Sequence, residues 1–213
     1  MSERRPDDEP TKTDRFEIVE VVILALVAIA TAWSGYQATQ WGGRQATLYG
    51  QASSTRFAAD ASSTRGGQIL VADATFFTAW LQARSAGDAA LEADLVQRFS
   101  AEYRTAFHAW LATHPFTDRA ARAGPGYMPG FSQPDLVQAD QLNAQASELF
   151  AEGTSARETA NKYVRDTVLF ASVLFLAGLA QRFKDRRVKT AAIAVAFTLL
   201  AFTLVTIVTL PRA

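Results

Sequence analysis

The chain has 213 residues, 49% of them hydrophobic, with 21 basic and 21 acidic residues. A net charge of zero offers no electrostatic footprint for nucleic acid. The absence of cysteine excludes a disulfide-stapled fold, thiolate metal sites and a cysteine nucleophile. Uncharged apolar runs crowd the two ends of the chain, which the ordinary average composition conceals.

Residues 1–16 read as a polar tail. Asp14 and Glu17 stand in N-cap and N3 relation, which predicts a helix starting near residue 15. Val21 to Ser34 carries no charge, and Ile18 and Val19 extend the run past Glu20. Trp33, Tyr36 and Trp41 follow, as amphipathic rings do at a membrane interface. Residues 17–35 are therefore expected to form a first transmembrane helix. Ala30-Thr31-Ala32 resembles a signal-peptide cleavage site, but the tail before the apolar run is net acidic, which argues for an uncleaved anchor.

Residues 36–163 read as a helical domain. Its first helix is predicted over Tyr36–Arg65, ending at Gly66-Gly67, and its second over Gln68–Ser85, ending at Gly87. A third starts at Asp88 as N-cap and runs to Thr113, with Leu91, Leu95, Phe99, Tyr103, Phe107 and Leu111 on one stripe. Prolines and glycines cluster between 114 and 134, predicting a long loop that exposes Phe116, Tyr127 and Phe131 for binding or lays them on the bundle end. A fourth helix begins near Ser132 and runs into the second span. Along it Ala139, Ala146, Gly153 and Ala160 recur every seven residues, as do Leu142, Leu149, Ala156 and Tyr163. That apolar seam serves either packing within the chain or a homo-oligomeric stalk. The first helix is also rich in small residues and is expected to pack antiparallel to the fourth, completing an up-down-up-down bundle.

Thr167 to Ala180 is uncharged but short. Snorkelling flanks and a following apolar run make residues 164–181 a second transmembrane helix. After a loop over 182–189, the 21 residues from Thr190 to Leu210 carry no charge, about 31 Å as a helix, and 190–210 is the third span. Arg4, Arg5, Lys12 and Arg15 in the tail, and Arg182, Lys184, Arg186, Arg187 and Lys189 in the loop, contrast with only ten basic residues across 36–163. By the positive-inside rule the tail and loop are expected in the cytoplasm, with 36–163 and the C-terminus outside.

The fold class expected is thus all-α: a membrane protein with three transmembrane helices and a helical bundle between spans one and two. Chemistry-bearing residues are few. Asp73 shares an apolar helix face with Ile69, Phe76, Phe77 and Trp80 and needs a partner, for which Arg104 and His108 are the candidates; the three would make a small polar pocket or a structural ion pair. Glu20, at the edge of span one, is expected to pair with Arg182 or Lys184. No HExxH, P-loop, GxSxG or dinucleotide fingerprint is present, so neither metal, cofactor nor catalysis is expected.

The run Trp33-Ser34-Gly35-Tyr36-Gln37-Ala38, with Tyr163-Val164 and Thr167-Val168-Leu169-Phe170-Ala171, resembles an uncharacterised bacterial family of three-span inner-membrane proteins. The resemblance implies topology and a bacterial inner membrane, and implies no activity. The expected function is a membrane-anchored scaffold or accessory subunit, self-associating or bound to a membrane protein partner. Alternatives are an extracytoplasmic sensor signalling through a partner and an oligomeric pore component.

Overall fold

The computed structural model describes residues 12–183 and 185–212, with side chains from Val21 onward except that of Arg186. Among the described residues there is no strand. The elements are α1 (Lys12–Ala86), α2 (Ala89–Arg98), α3 (Ala101–Leu111), a 3-10 turn at Pro125–Tyr127, α4 (Pro134–Ala180) and α5 (Arg186–Thr209). Helices α1, α4 and α5 are each long and apolar enough to cross a membrane. The chain divides into two compact units, residues 1–49 with 151–213 (unit 1) and residues 50–150 (unit 2). Unit 2 is smaller than the 36–163 domain expected, because 36–49 and 151–163 continue the helices of unit 1.

Helix α1 corrects the sequence reading at both its start and its middle. It begins at Lys12, ahead of the Asp14 cap expected, and it does not stop at Gly66-Gly67. A glycine costs a helix interior about 0.5–1 kcal/mol relative to alanine, which weakens a helix without ending it. Gly66 instead provides a close approach: a Cβ there would meet Gln133 Oε1 at 2.8 Å and Leu136 Cδ2 at 2.9 Å. The two helices expected over 36–85 are one continuous helix, and the short helices α2 and α3 follow it in chain order before α4.

In unit 2 the buried residues of α1 include Ala52, Ala59, Gly66, Asp73 and Trp80, spaced by seven. That spacing keeps one face turned inward over about eight turns. Gly87, at φ 73°, turns the chain out of α1. Asp88 caps α2 by accepting the Leu91 N–H at 3.0 Å. The third helix expected from Asp88 to Thr113 is broken at Phe99, whose ψ of 146° is extended, and restarts as α3 with Ser100 as N-cap. His114, at φ 53°, closes the end of α3 in the left-handed region.

The core of unit 2 is aromatic. Trp80, Phe99, Tyr103, Phe107 and Trp110 are buried together, with Phe76, Phe77, Met128 and Phe131 packed around them. Trp80 meets Phe107 edge-on at 4.9 Å, and Phe77 meets Trp110 at 5.1 Å. Such pairs contribute about 0.5–1.5 kcal/mol each beyond the area they bury. The segment 114–134 lies against this core. The Trp110 indole N–H donates to the Arg122 carbonyl at 2.7 Å, Pro125 is buried, and Phe131 meets Tyr103 edge-on at 5.7 Å. Phe116 is half-sandwiched between Trp110 and the Arg84 guanidinium, whereas Tyr127 stays 69% exposed. Gln133 starts α4 by accepting the Leu136 N–H at 2.9 Å.

Unit 1 is a three-helix assembly of α1, α4 and α5. Val27, Phe170, Val173 and Ala196 form its core, edged by Ile23, Leu174, Leu199 and Leu200. Gly153 admits Tyr49 so closely that a Cβ there would lie 2.6 Å from the ring. Val21, Ile29, Val168, Phe175, Phe197, Val205 and Val208 are all 60% or more exposed. Apolar surface on that scale on α1, α4 and α5 suits an apolar solvent such as a bilayer. Helix α5 starts at Arg186, capped by Asp185.

Candidate functional site

The densest polar constellation in unit 1 lies where the three apolar helices meet near Tyr163. From α1, the Ser34 hydroxyl donates to the Tyr163 carbonyl at 2.8 Å. From α4, the Tyr163 hydroxyl donates to the Pro211 carbonyl at 3.1 Å, and the Trp41 indole N–H reaches the same carbonyl at 3.2 Å. One carbonyl just past α5 thus accepts from the other two helices. A carbonyl has two lone pairs, so both bonds are satisfied at once.

One helical turn from Tyr163, Asp166 is fully buried. Its Oδ1 accepts from the Arg165 guanidinium at 3.3 Å, and its Oδ2 lies 3.3 Å from the Thr206 hydroxyl. Both contacts are long for a charged acceptor. The Thr206 hydroxyl also has the Thr203 carbonyl at 2.8 Å, and its single proton favours the shorter contact. Arg165 is 58% exposed along its side chain, so it brings its charge to Asp166 from the surface. Isolated burial of a carboxylate is prohibitive, and this partner makes it tolerable. Ionisable groups among apolar helices are functional candidates by default.

The sequence reading passed over Asp166. The signal was present: continuing the seven-residue series Leu149, Ala156, Tyr163 gives Phe170, and Asp166 lies three and four residues from its last two members. That places it on the inward face, which the structure shows buried at Ala156, Tyr163, Asp166, Phe170 and Val173. Ala139, Ala146, Gly153, Ala156, Ala160 and Tyr163 are buried, and Leu142 and Leu149 are half-buried.

In unit 2 the expected grouping of Asp73, Arg104 and His108 is not formed. Asp73 is buried, at 2% exposure, but its partner is Ser100. The Ser100 N–H donates to Oδ1 at 2.8 Å and the Ser100 hydroxyl to Oδ2 at 2.6 Å. The carboxylate therefore occupies the break between α2 and α3 and holds the first residue of α3. Arg104 donates to the Phe99 carbonyl at 3.3 Å, with its Nε buried and without a hydrogen-bond partner among the described residues. His108 is exposed beside the Phe107 ring. Helical spacing put the three on nearby faces, and the break at Phe99 re-aimed α3. Burial, and then the neighbouring Asp73 charge, push the Tyr103 hydroxyl up to about 12. Of the pair Glu20 and Arg182, the Glu20 side chain lies outside the described residues, and Arg182 is exposed just past α4.

Two recesses flank these clusters. In unit 2, Glu102, Thr105, Met128, Phe131 and Ser132 line one of about 290 Å³ between α3 and the loop. In unit 1, a groove of about 430 Å³ runs beside Pro211. Among the described residues no three His, Asp or Glu side chains gather as metal ligands. Comparison with protein-family models, curated proteins and solved structures finds no match.

Proposed function

We propose that the chain is a membrane-anchored scaffold or accessory subunit. Unit 1 holds it in a bacterial inner membrane, with residues 1–16 and 182–189 in the cytoplasm. Unit 2 and the C-terminus lie in the periplasm, and unit 2 offers the interaction surface. The basic residues of the tail and the loop support that orientation.

The observation that carries the reading is where the buried polar groups go. Asp166 is engaged by Arg165, Ser34 and Tyr163 tie helices together, and Asp73 organises a helix start. Each is occupied in holding the fold. A pore subunit would turn such groups toward a water-filled path. The recess between α3 and the loop favours a sensor as the second reading, in which a small ligand would bind beside Met128 and Phe131.

The test is purification from native membranes in mild detergent followed by native mass spectrometry. A second protein at fixed stoichiometry, or one defined homo-oligomer, is the expected result. A monomer without a partner would overturn the scaffold reading. Conductance of the purified protein in a planar bilayer would replace it with a pore.

A further inference from the structure

Trp41 and Arg44 of α1, Glu152, Ser155 and Thr159 of α4, and Pro211 line one open groove in unit 1. We propose that this groove is a binding site for the headgroup of a zwitterionic amino-phospholipid, phosphatidylethanolamine in chemical class. The inference rests on the membrane placement of unit 1.

Depth is the first argument. The apolar run of α5 ends at Leu210, and Pro211 is bonded to Trp41 and Tyr163. Side chains lean toward the N-terminus of their own helix, so the Tyr163 hydroxyl stands near the level of Thr159. Trp41, Pro211 and Thr159 together mark the edge of the hydrocarbon. Arg44 follows three residues farther along α1, about 4.5 Å, and Ser155 four residues farther from the apolar segment along α4, about 6 Å. Each headgroup layer is about 5–8 Å deep. Glu152, about 10 Å beyond Thr159, stands just outside that layer.

Charge is the second argument. The Arg44 guanidinium lies 5.4 Å from the centroid of the Trp41 ring, which holds the cation at the groove wall. Trp41 is in turn fixed by its bond to Pro211. Neither Arg44 nor Glu152 belongs to an ion pair among the described residues. A cation at the phosphate level, the Ser155 hydroxyl beside it, and an anion farther out match phosphate followed by ammonium, read outward; the Thr159 hydroxyl donates instead to the Ser155 carbonyl at 3.0 Å. An anionic headgroup would meet Glu152 as a like charge. A choline headgroup would satisfy the charges but could not donate hydrogen bonds to the carboxylate.

The experiment uses the full chain, delipidated in detergent, with phosphatidylethanolamine, phosphatidylcholine and phosphatidylglycerol of identical acyl chains and, separately, soluble glycerophosphoethanolamine. Retained lipid is counted by native mass spectrometry. The expected result is about tenfold preference for phosphatidylethanolamine over phosphatidylglycerol. Arg44→Ala abolishes the retention, and Glu152→Gln brings the two lipids within about twofold of each other. Both positions are exposed, so the fold is expected to survive, and an unchanged helical circular dichroism spectrum checks it. Equal retention of all three lipids, or indifference to both substitutions, overturns the proposal. Equally tight binding of the soluble headgroup overturns the lipid as the occupant. Failure of the whole chain to float with vesicles would instead defeat the membrane reading, separately from the site.

Discussion

The two adjacent glycines at 66 and 67 make a controlled experiment. Both sit inside α1, and alanine at either gains the same helix propensity, about 1 kcal/mol. Their surroundings differ. A Cβ at Gly67 meets nothing within 4 Å, whereas one at Gly66 lies 2.8 Å from Gln133 Oε1 and 2.9 Å from two carbons of Leu136. Those neighbours have little room to yield, because Gln133 Oε1 is also the acceptor that caps α4. Overpacking of this kind costs about 1–3 kcal/mol. Gly67→Ala is therefore expected to stabilise unit 2 by about 0.5–1 kcal/mol, and Gly66→Ala to fall below it by about 1–3 kcal/mol. The difference isolates the steric cost, since propensity cancels. For a unit of this size each kcal/mol moves the Tm by about 4–8 °C. Trp80 and Trp110, buried in unit 2, report its unfolding by fluorescence. Equal shifts for the two variants would refute the close approach of α1 to the start of α4.

Asp73→Ala strands the Ser100 N–H and hydroxyl and is expected to cost about 2–4 kcal/mol in denaturant unfolding, against about 1 kcal/mol for Ser100→Ala. A milder Asp73 effect would mean that the break at Phe99 is held by packing alone. Tyr103 should ionise well above the ordinary tyrosine value in a spectrophotometric titration. Because its folded value of about 12 exceeds the ordinary 10, stability is full below pH 10 and falls as pH rises from 10 to 12. Tyr103→Phe should flatten that window. Asp166→Asn is expected to leave unit 1 folded, with a change under about 1 kcal/mol in thermal unfolding, because the contacts it weakens are 3.3–3.4 Å long; unfolding would make Asp166 the keystone of the three helices. The cysteine-free chain suits topology mapping. Single cysteines at Phe57 and Arg182, both exposed, should react with a membrane-impermeant maleimide from opposite sides of the membrane.

The sequence by itself determined the helical class, the three apolar helices and the inward face of α4. Uncharged runs of sufficient length and a strict seven-residue period are local properties, readable without knowing what the helix touches. Tertiary structure decided everything that depends on a contact partner. Gly66-Gly67 reads as a break, but Gln133 and Leu136 pack so closely over Gly66 that the same glycine joins two helices into one. The stripe from Leu91 to Leu111 reads as one helix, but Asp73, 27 residues before Ser100, takes its N–H and splits it. The partners of Asp73 could not be read from spacing, because the break they create changes the faces on which the spacing depends. Asp166 was legible in period and overlooked in charge. Its burial follows from the seam, which the folded chain closes over it, and its tolerance inside an apolar assembly follows from Arg165, its neighbour in sequence, whose guanidinium lies 3.3 Å from it.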